Sequence, residues 1–168
     1  MSLVSKIDGL ASGPFGSEQV GEKRARFVRL YATETLAKGD AVAFDLSVET
    51  NGETLYVKKA KSDASDADDT IALRQAIGIC AEAITISGTN YEPASVQVGG
   101  LCDFAKILDT NDNRGTLLQS STTSGQLTEA EVTGNSADVF ILPVGILVVE
   151  GSAATADSTV YLMNPMNL

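Results

Sequence analysis

The chain carries one apolar phrase twice. Ala76-Ile77-Gly78-Ile79-Cys80-Ala81-Glu82-Ala83 is echoed by Leu142-Pro143-Val144-Gly145-Ile146-Leu147-Val148-Val149-Glu150. Both set a glycine inside an apolar run and close on a carboxylate. A glycine-led strand signal precedes each: Lys38-Gly39-Asp40-Ala41-Val42-Ala43-Phe44, then Arg114-Gly115-Thr116-Leu117-Leu118-Gln119. A valine-containing strand follows each: Ala94-Ser95-Val96-Gln97-Val98, then Asp157-Ser158-Thr159-Val160-Tyr161-Leu162. The offset between matched positions shrinks along the phrase, from Gly39 with Gly115, through Gly78 with Gly145, to Val96 with Val160. This predicts two related β units with unequal loops, not a strict repeat array.

The 168 residues are enough to bury a core without disulfides or metals. Aromatic residues make up only 5% and Trp is absent, so Val, Ile, Leu and Ala must fill that core. The net charge of −10 argues against a phosphate-backbone partner. Charge is uneven: Met1 to Asp40 holds six basic and five acidic groups, and Ala41 to Leu168 holds six and seventeen. No apolar stretch approaches the length needed to cross a bilayer as a helix, so no membrane span is expected. The N-terminus lacks a signal-peptide core, and synthesis in the cytoplasm is the expectation. Cys80 and Cys102 lie in apolar runs and read as buried free thiols.

Residues 1–24 are polar and rich in Gly and Ser, with neither helical nor alternating period. They read as an extended arm, with a strand packed on its own domain as the alternative. In Arg24-Ala25-Arg26-Phe27-Val28-Arg29-Leu30-Tyr31-Ala32, Arg26, Val28, Leu30 and Ala32 alternate with Phe27, Arg29 and Tyr31, which predicts a strand. Lys23, Arg24, Arg26 and Arg29 reverse the local field of an acidic protein. They read either as a docking strip for an acidic surface or as pairs for the chain's own carboxylates. Short strands are expected at 41–44, 54–60, 77–86, 94–98 and 101–108. In the second unit they are expected at 116–119, 126–132, 139–149 and 159–163. Asn51-Gly52 marks a tight turn. The best helix signal is Asp68–Ala76, where a capped turn and a loop both stay open. The expected fold is mainly all-β, a small antiparallel sandwich or barrel. Its parts are an arm and basic strand over 1–30, a first unit over 31–108 and a second over 109–168.

Histidine is absent, which removes Ser-His-Asp and Cys-His nucleophile systems and histidine zinc sites. No phosphate-cradling glycine loop occurs. Asp63–Asp69 and Asp109–Gly115 are acidic clusters. The second has oxygen ligands at alternate positions, as calcium loops do, but departs from the EF-hand pattern. Both read first as solvated turns. Glu82 and Glu150 read as strand ends leaving the core, and Gly78 and Gly145 as bulges or close backbone approaches. No cofactor is expected.

Gly39-Asp40-Ala41-Val42, Ala76-Ile77-Gly78-Ile79 and Val96-Gln97-Val98-Gly99-Gly100, in that order, resemble the strands of tailed-phage head decoration (cement) proteins. Pro143-Val144-Gly145-Ile146 repeats the central motif. The resemblance covers roughly residues 37–105 and, more weakly, 114–163. It implies a non-enzymatic β-rich virion protein, made in the bacterial host cytoplasm, that binds the outer surface of an assembled capsid. It implies the major capsid protein as partner and a homo-oligomer, a trimer before a dimer. By analogy the N-terminal arm contributes to docking, and Lys23, Arg24, Arg26 and Arg29 are the candidate capsid contacts. A tail or adhesin-like virion protein, carbohydrate-binding, is the alternative. Against it, Tyr31, Tyr56, Tyr91 and Tyr161 read as too scattered to build an aromatic platform. A carboxylate-based hydrolase would need two buried acids in one cleft.

Overall fold

A computed structural model describes residues 25–48, 56–62, 74–88, 90–108, 114–130, 142–152 and 155–163. The chain is mainly β, and its described strands are β1 (Arg26–Ala32), β2 (Ala41–Phe44), β3 (Tyr56–Lys59), β4 (Gly78–Cys80), β5 (Glu92–Ala105), β6 (Leu117–Ser120), β7 (Leu127–Glu129), β8 (Gly145–Val149) and β9 (Ser158–Leu162). They form one mixed sheet in the order β1-β3-β2-β4-β5-β9-β8-β6-β7. The sheet closes on itself twice. β1 pairs with β5 as well as β3, which completes a ring of five strands. At the other end, a bridge joins Ile107 to Leu127, with Leu127 N–H donating to Lys106 O and Leu108 N–H to Leu127 O. That segment continues β5 and completes a second ring through β7, β6, β8 and β9.

The β1–β3 pairing and the 107–127 bridge are parallel, while the other strand pairings are antiparallel. The reason is one of parity. Antiparallel neighbours alternate in direction, and five strands cannot alternate around a closed ring without one parallel step. An expectation of antiparallel strands throughout therefore meets its exception at the pairing that closes each ring.

Four backbone hydrogen bonds of the first ring recur at equivalent positions in the second. Gly39 N–H donates to Cys80 O at 2.8 Å, and Gly115 N–H to Leu147 O at 2.8 Å. Cys80 N–H reaches Asp40 O as Leu147 N–H reaches Thr116 O. Ile77 N–H reaches Val42 O as Val144 N–H reaches Leu118 O. Ala60 N–H reaches Ala41 O as Ala130 N–H reaches Leu117 O. Val42 faces Gly78 as Leu118 faces Gly145, and Cys80 faces Val96 as Leu147 faces Val160. The sequence echo is a structural duplication in register.

Gly39 and Gly115 have φ near +90°, a conformation that other residues rarely adopt, so each ring opens β2 or β6 with glycine. Gly78 and Gly145 are present for a different reason. A Cβ on Gly78 would lie 2.4 Å from Gln97 O, and one on Gly145 would lie 2.6 Å from Val160 Cγ1. Of the two roles open to these glycines, close approach of neighbouring strands is the one observed.

β5 is where the chain passes from one ring to the other. Residues 92–99 pair with β1, and residues 100–105 with β9. Gly99-Gly100, which reads in sequence as a break between two strands, sits inside one 14-residue strand. Gly100 has φ 80° and the register shifts beside it, so the strand bends without ending. The Gln97 side chain, buried, donates to Gly99 O and Leu101 O and holds the bend.

Two core clusters follow. Val42, Val57, Cys80, Val96 and Val98 fill the first ring, with Leu36 and Ile77. Leu118, Leu127, Leu147, Val160 and Leu162 fill the second. Each fully buried branched side chain contributes roughly 1.5–3 kcal/mol. Ala41, Ala43 and Ile79, on the outer face of the first ring, belong to the second cluster. The open end of the second ring therefore sits on the outside of the first. Most of the helix signal at 68–76 lies outside the described residues.

Candidate functional site

Of the basic strip, Lys23 and Arg24 lie outside the described residues. Arg26 and Arg29 are exposed on β1, but strand alternation sends them to opposite faces. Arg29 shares the outer row with Phe27 and Tyr31, which are 50% and 45% exposed. Among the described residues neither arginine forms an ion pair. β1 is paired with β5 along its length and with β3 at Tyr31 and Ala32, so among the described residues Arg26–Leu30 have a strand partner on one side.

That outer row leads into a feature the sequence reading missed. Tyr31 and Tyr56 face each other across the parallel β1–β3 pair, with ring centroids 6.1 Å apart. Tyr91 meets Tyr56 edge-on at 4.9 Å. With Asn90 they line an open recess of about 380 Å³. Three of the four tyrosines thus converge, which overturns the expectation that they are scattered; Tyr161 stands apart on the second ring. The signal was weak in sequence. Tyr31 and Tyr56 each precede a residue that turns out buried, Ala32 and Val57, yet only the parallel ring closure makes them neighbours.

The buried charges serve the fold. Asp40 accepts from Lys106 Nζ at 2.6 Å and from Ala37 N–H at 2.8 Å, with Lys59 Nζ at 3.9 Å. The Asp40–Lys106 bond ties the first ring to the second. Asp45 accepts from the Thr33 and Ser47 hydroxyls and pairs with Lys58 at 3.2 Å. Burial alone would raise its pKa, but the Ser47 and Thr33 hydroxyls and Lys58 outweigh burial and hold it below the ordinary carboxylate value. Glu82 is exposed and accepts from Ser95 N–H. Among the described residues no three His, Cys, Asp or Glu side chains gather as metal ligands. The acidic run 63–69 and residues 109–113 lie outside the described residues. Gly115, the glycine of the second run, is the left-handed residue that starts β6. No helix among the described residues is long and apolar enough to cross a membrane.

Cys80 and Cys102 are free and fully buried. Burial raises the Cys80 thiol pKa and pushes that of Cys102 to about 11. Both thiols are therefore expected to resist a maleimide at pH 8 in the folded protein and to label completely in urea. Mass spectrometry of the labelled protein checks this, and rapid native labelling of Cys102 would contradict the burial.

A scan of protein-family models and a search of curated proteins returned no match to this chain. The reading of its function therefore rests on its own residues.

Proposed function

We propose that this chain is a non-enzymatic structural protein of a virion that binds the outer surface of a phage capsid and reinforces the shell. What supports the reading is the resemblance of Gly39–Val42, Ala76–Ile79 and Val96–Gly100 to head decoration proteins. The observation that carries it furthest is the outer row at the start of β1, with Phe27 and Arg29 presented side by side directly after the proposed arm. An exposed aromatic ring beside a cation suits a protein surface of acidic character. In this proposal strand addition runs through residues 1–24 onto a sheet of the capsid protein. The same proposal makes the protein a homo-oligomer, whose symmetric copies would strengthen a modest contact by avidity.

The test is to add the purified protein to capsids lacking it and image them by cryo-electron microscopy. Density is expected at symmetry-related outer positions. Deletion of residues 1–24, and separately Arg29→Glu, should lower occupancy at least about tenfold while leaving the melting temperature of the free protein unchanged. The truncation stops at 24 because β1 begins at Arg26 and Leu30 is buried. Full occupancy by both variants would remove the arm and β1 from the docking surface. Absence of added density with the intact protein would remove the capsid reading.

One observation favours the second reading, a carbohydrate-binding tail or adhesin-like protein. Tyr31, Tyr56 and Tyr91 beside Asn90 offer aromatic faces and an amide at one open recess. That combination stacks on and hydrogen-bonds to sugar rings. Binding on a glycan array that is lost in Tyr91→Ala would move this reading ahead.

A further inference from the structure

The duplication leaves two surfaces uncovered, and each is the counterpart of one that is covered. On the first ring, Ala41, Ile79, Gln97 and Phe27 form a row across β2, β4, β5 and β1. The second ring sits over much of it, and Ala41 and Ile79 are fully buried. The same register on the second ring gives Leu117, Ile146, Tyr161 and Leu101 across β6, β8, β9 and β5. Here Leu117 is 38% and Tyr161 52% exposed. The glycine beside each row reports the same difference. A Cβ on Gly39 would meet Phe104 O at 2.4 Å and Ala156 Cβ at 2.6 Å, whereas one on Gly115 would meet nothing within 4 Å.

The covering surface also has a counterpart. The second ring approaches with Lys106 and Ala156 against Gly39, and with Gly125, beside Gln126, hydrogen-bonded to both Ala41 and Ala60. Ala32–Val57 matches Ile107–Leu127, so Tyr31 on the first ring stands where Lys106 stands on the second. Asp45 N–H reaches Tyr56 O as Ser121 N–H reaches Gln126 O, so Tyr56 stands where Gln126 does. Counting back from the match of Val96 with Val160 places Tyr91 and Glu92 by the position of Ala156. The end of the first ring that carries the tyrosine recess is thus the counterpart of the end that plugs the fold internally.

The residues have changed on both sides together. Inside the chain, Lys106 meets Asp40. At the open surfaces the counterparts are Tyr31 and Thr116, a neutral pair able to hydrogen-bond. The row that would receive the plug gains Leu117 and Tyr161 where the covered row has Ala41 and Gln97. Both uncovered surfaces are more apolar than the pair that mates internally, as surfaces buried only on assembly would be.

We propose that the tyrosine end of one copy, at Tyr31, Tyr56 and Tyr91, docks on the Leu117–Ile146–Tyr161 row of a second copy, repeating between chains the contact the two rings make within one. Such a contact is head-to-tail, with a different patch on each side, and it builds a ring when its rotation closes. The inference goes beyond the capsid reading, and its test is made on the free protein, so either can fail without the other.

The intact protein should sediment as a concentration-dependent oligomer. Tyr161→Arg, which damages the receiving row, and Tyr91→Arg, which damages the plug, should each weaken association at least about 30-fold, the scale of a hot-spot loss. Mixing the two variants decides the geometry. Each retains the surface the other lacks, so a one-to-one dimer should appear and nothing larger. A monomeric parent at every concentration, an oligomer indifferent to both variants, or a mixture that stays monomeric would each overturn the proposal. Loss of glycan binding in Tyr91→Arg with assembly intact would assign the recess to a sugar and overturn it too. Should either variant fail to fold, the double variant Tyr31→Cys with Thr116→Cys answers the question through a short bismaleimide, since the native thiols are buried. Crosslinked multimers support the contact, and monomers alone overturn it.

Discussion

Asp40→Ala is expected to cost about 3 kcal/mol of folding stability, the largest single loss outside the apolar core. Its carboxylate is almost fully buried and accepts from Lys106 Nζ at 2.6 Å and Ala37 N–H at 2.8 Å. Removing one member of a buried ion pair strands the other, at roughly 3–5 kcal/mol. The lower end is appropriate here because the Lys106 side chain retains 19% exposure and can turn toward water. Urea denaturation followed by circular dichroism reads the change as a lower midpoint with an unaltered slope. The double variant Asp40→Thr with Lys106→Tyr copies the pair at Thr116 and Tyr31 and leaves only the more exposed Lys59 without its carboxylate. It should lose less than Asp40→Ala alone. A single-variant loss below about 1 kcal/mol would mean that the two rings are held together by apolar contact and backbone bonds without help from this pair.

Gly78→Ala and Gly145→Ala should each destabilise the protein by roughly 1–3 kcal/mol or more, because an inserted methyl group has no room. At Gly78 the methyl would meet Gln97 O at 2.4 Å and Val96 Cγ1 at 2.8 Å; at Gly145 it would meet Val160 Cγ1 at 2.6 Å and Tyr161 O at 2.8 Å. A valine methyl can move, but the backbone carbonyls belong to β5 and β9, which are paired on both sides and cannot yield without opening a ring. Thermal unfolding measured by calorimetry would show the loss as a fall in melting temperature of several degrees. Melting temperatures within one degree of the parent for both variants would refute the close approach. It would also return these glycines to the alternative role of ordinary bulges.

The matched positions 39 with 115, 78 with 145 and 96 with 160 were legible because each answers a local demand. A left-handed residue opens a strand, a missing Cβ admits a neighbour, and a branched apolar side chain fills a ring. Such demands recur wherever the unit recurs. The strand at Arg26–Ala32 was legible from its period of two. The tyrosine recess was not, because Tyr31, Tyr56 and Tyr91 come together only when β1 lies parallel to β3. Nothing local announces a parallel pairing between two segments with β2 between them in the chain. The basic strip was read as one feature because four cations crowd seven positions. Alternation divides Arg26 from Arg29, the pair the structure describes, between two faces.

By itself the sequence determined that the chain is β, that it is built twice, and where the obligatory glycines and apolar strand positions lie. These follow from steric rules that act over a few residues. Only the tertiary structure decided how the two units are joined. β5 serves both rings, and the second ring is stacked on the outside of the first, which buries Ala41 and Ile79 and leaves their counterparts Leu117 and Ile146 at the surface. That asymmetry cannot be written into either repeat alone. It arises because two equal units in head-to-tail contact always leave one face of each kind unmatched.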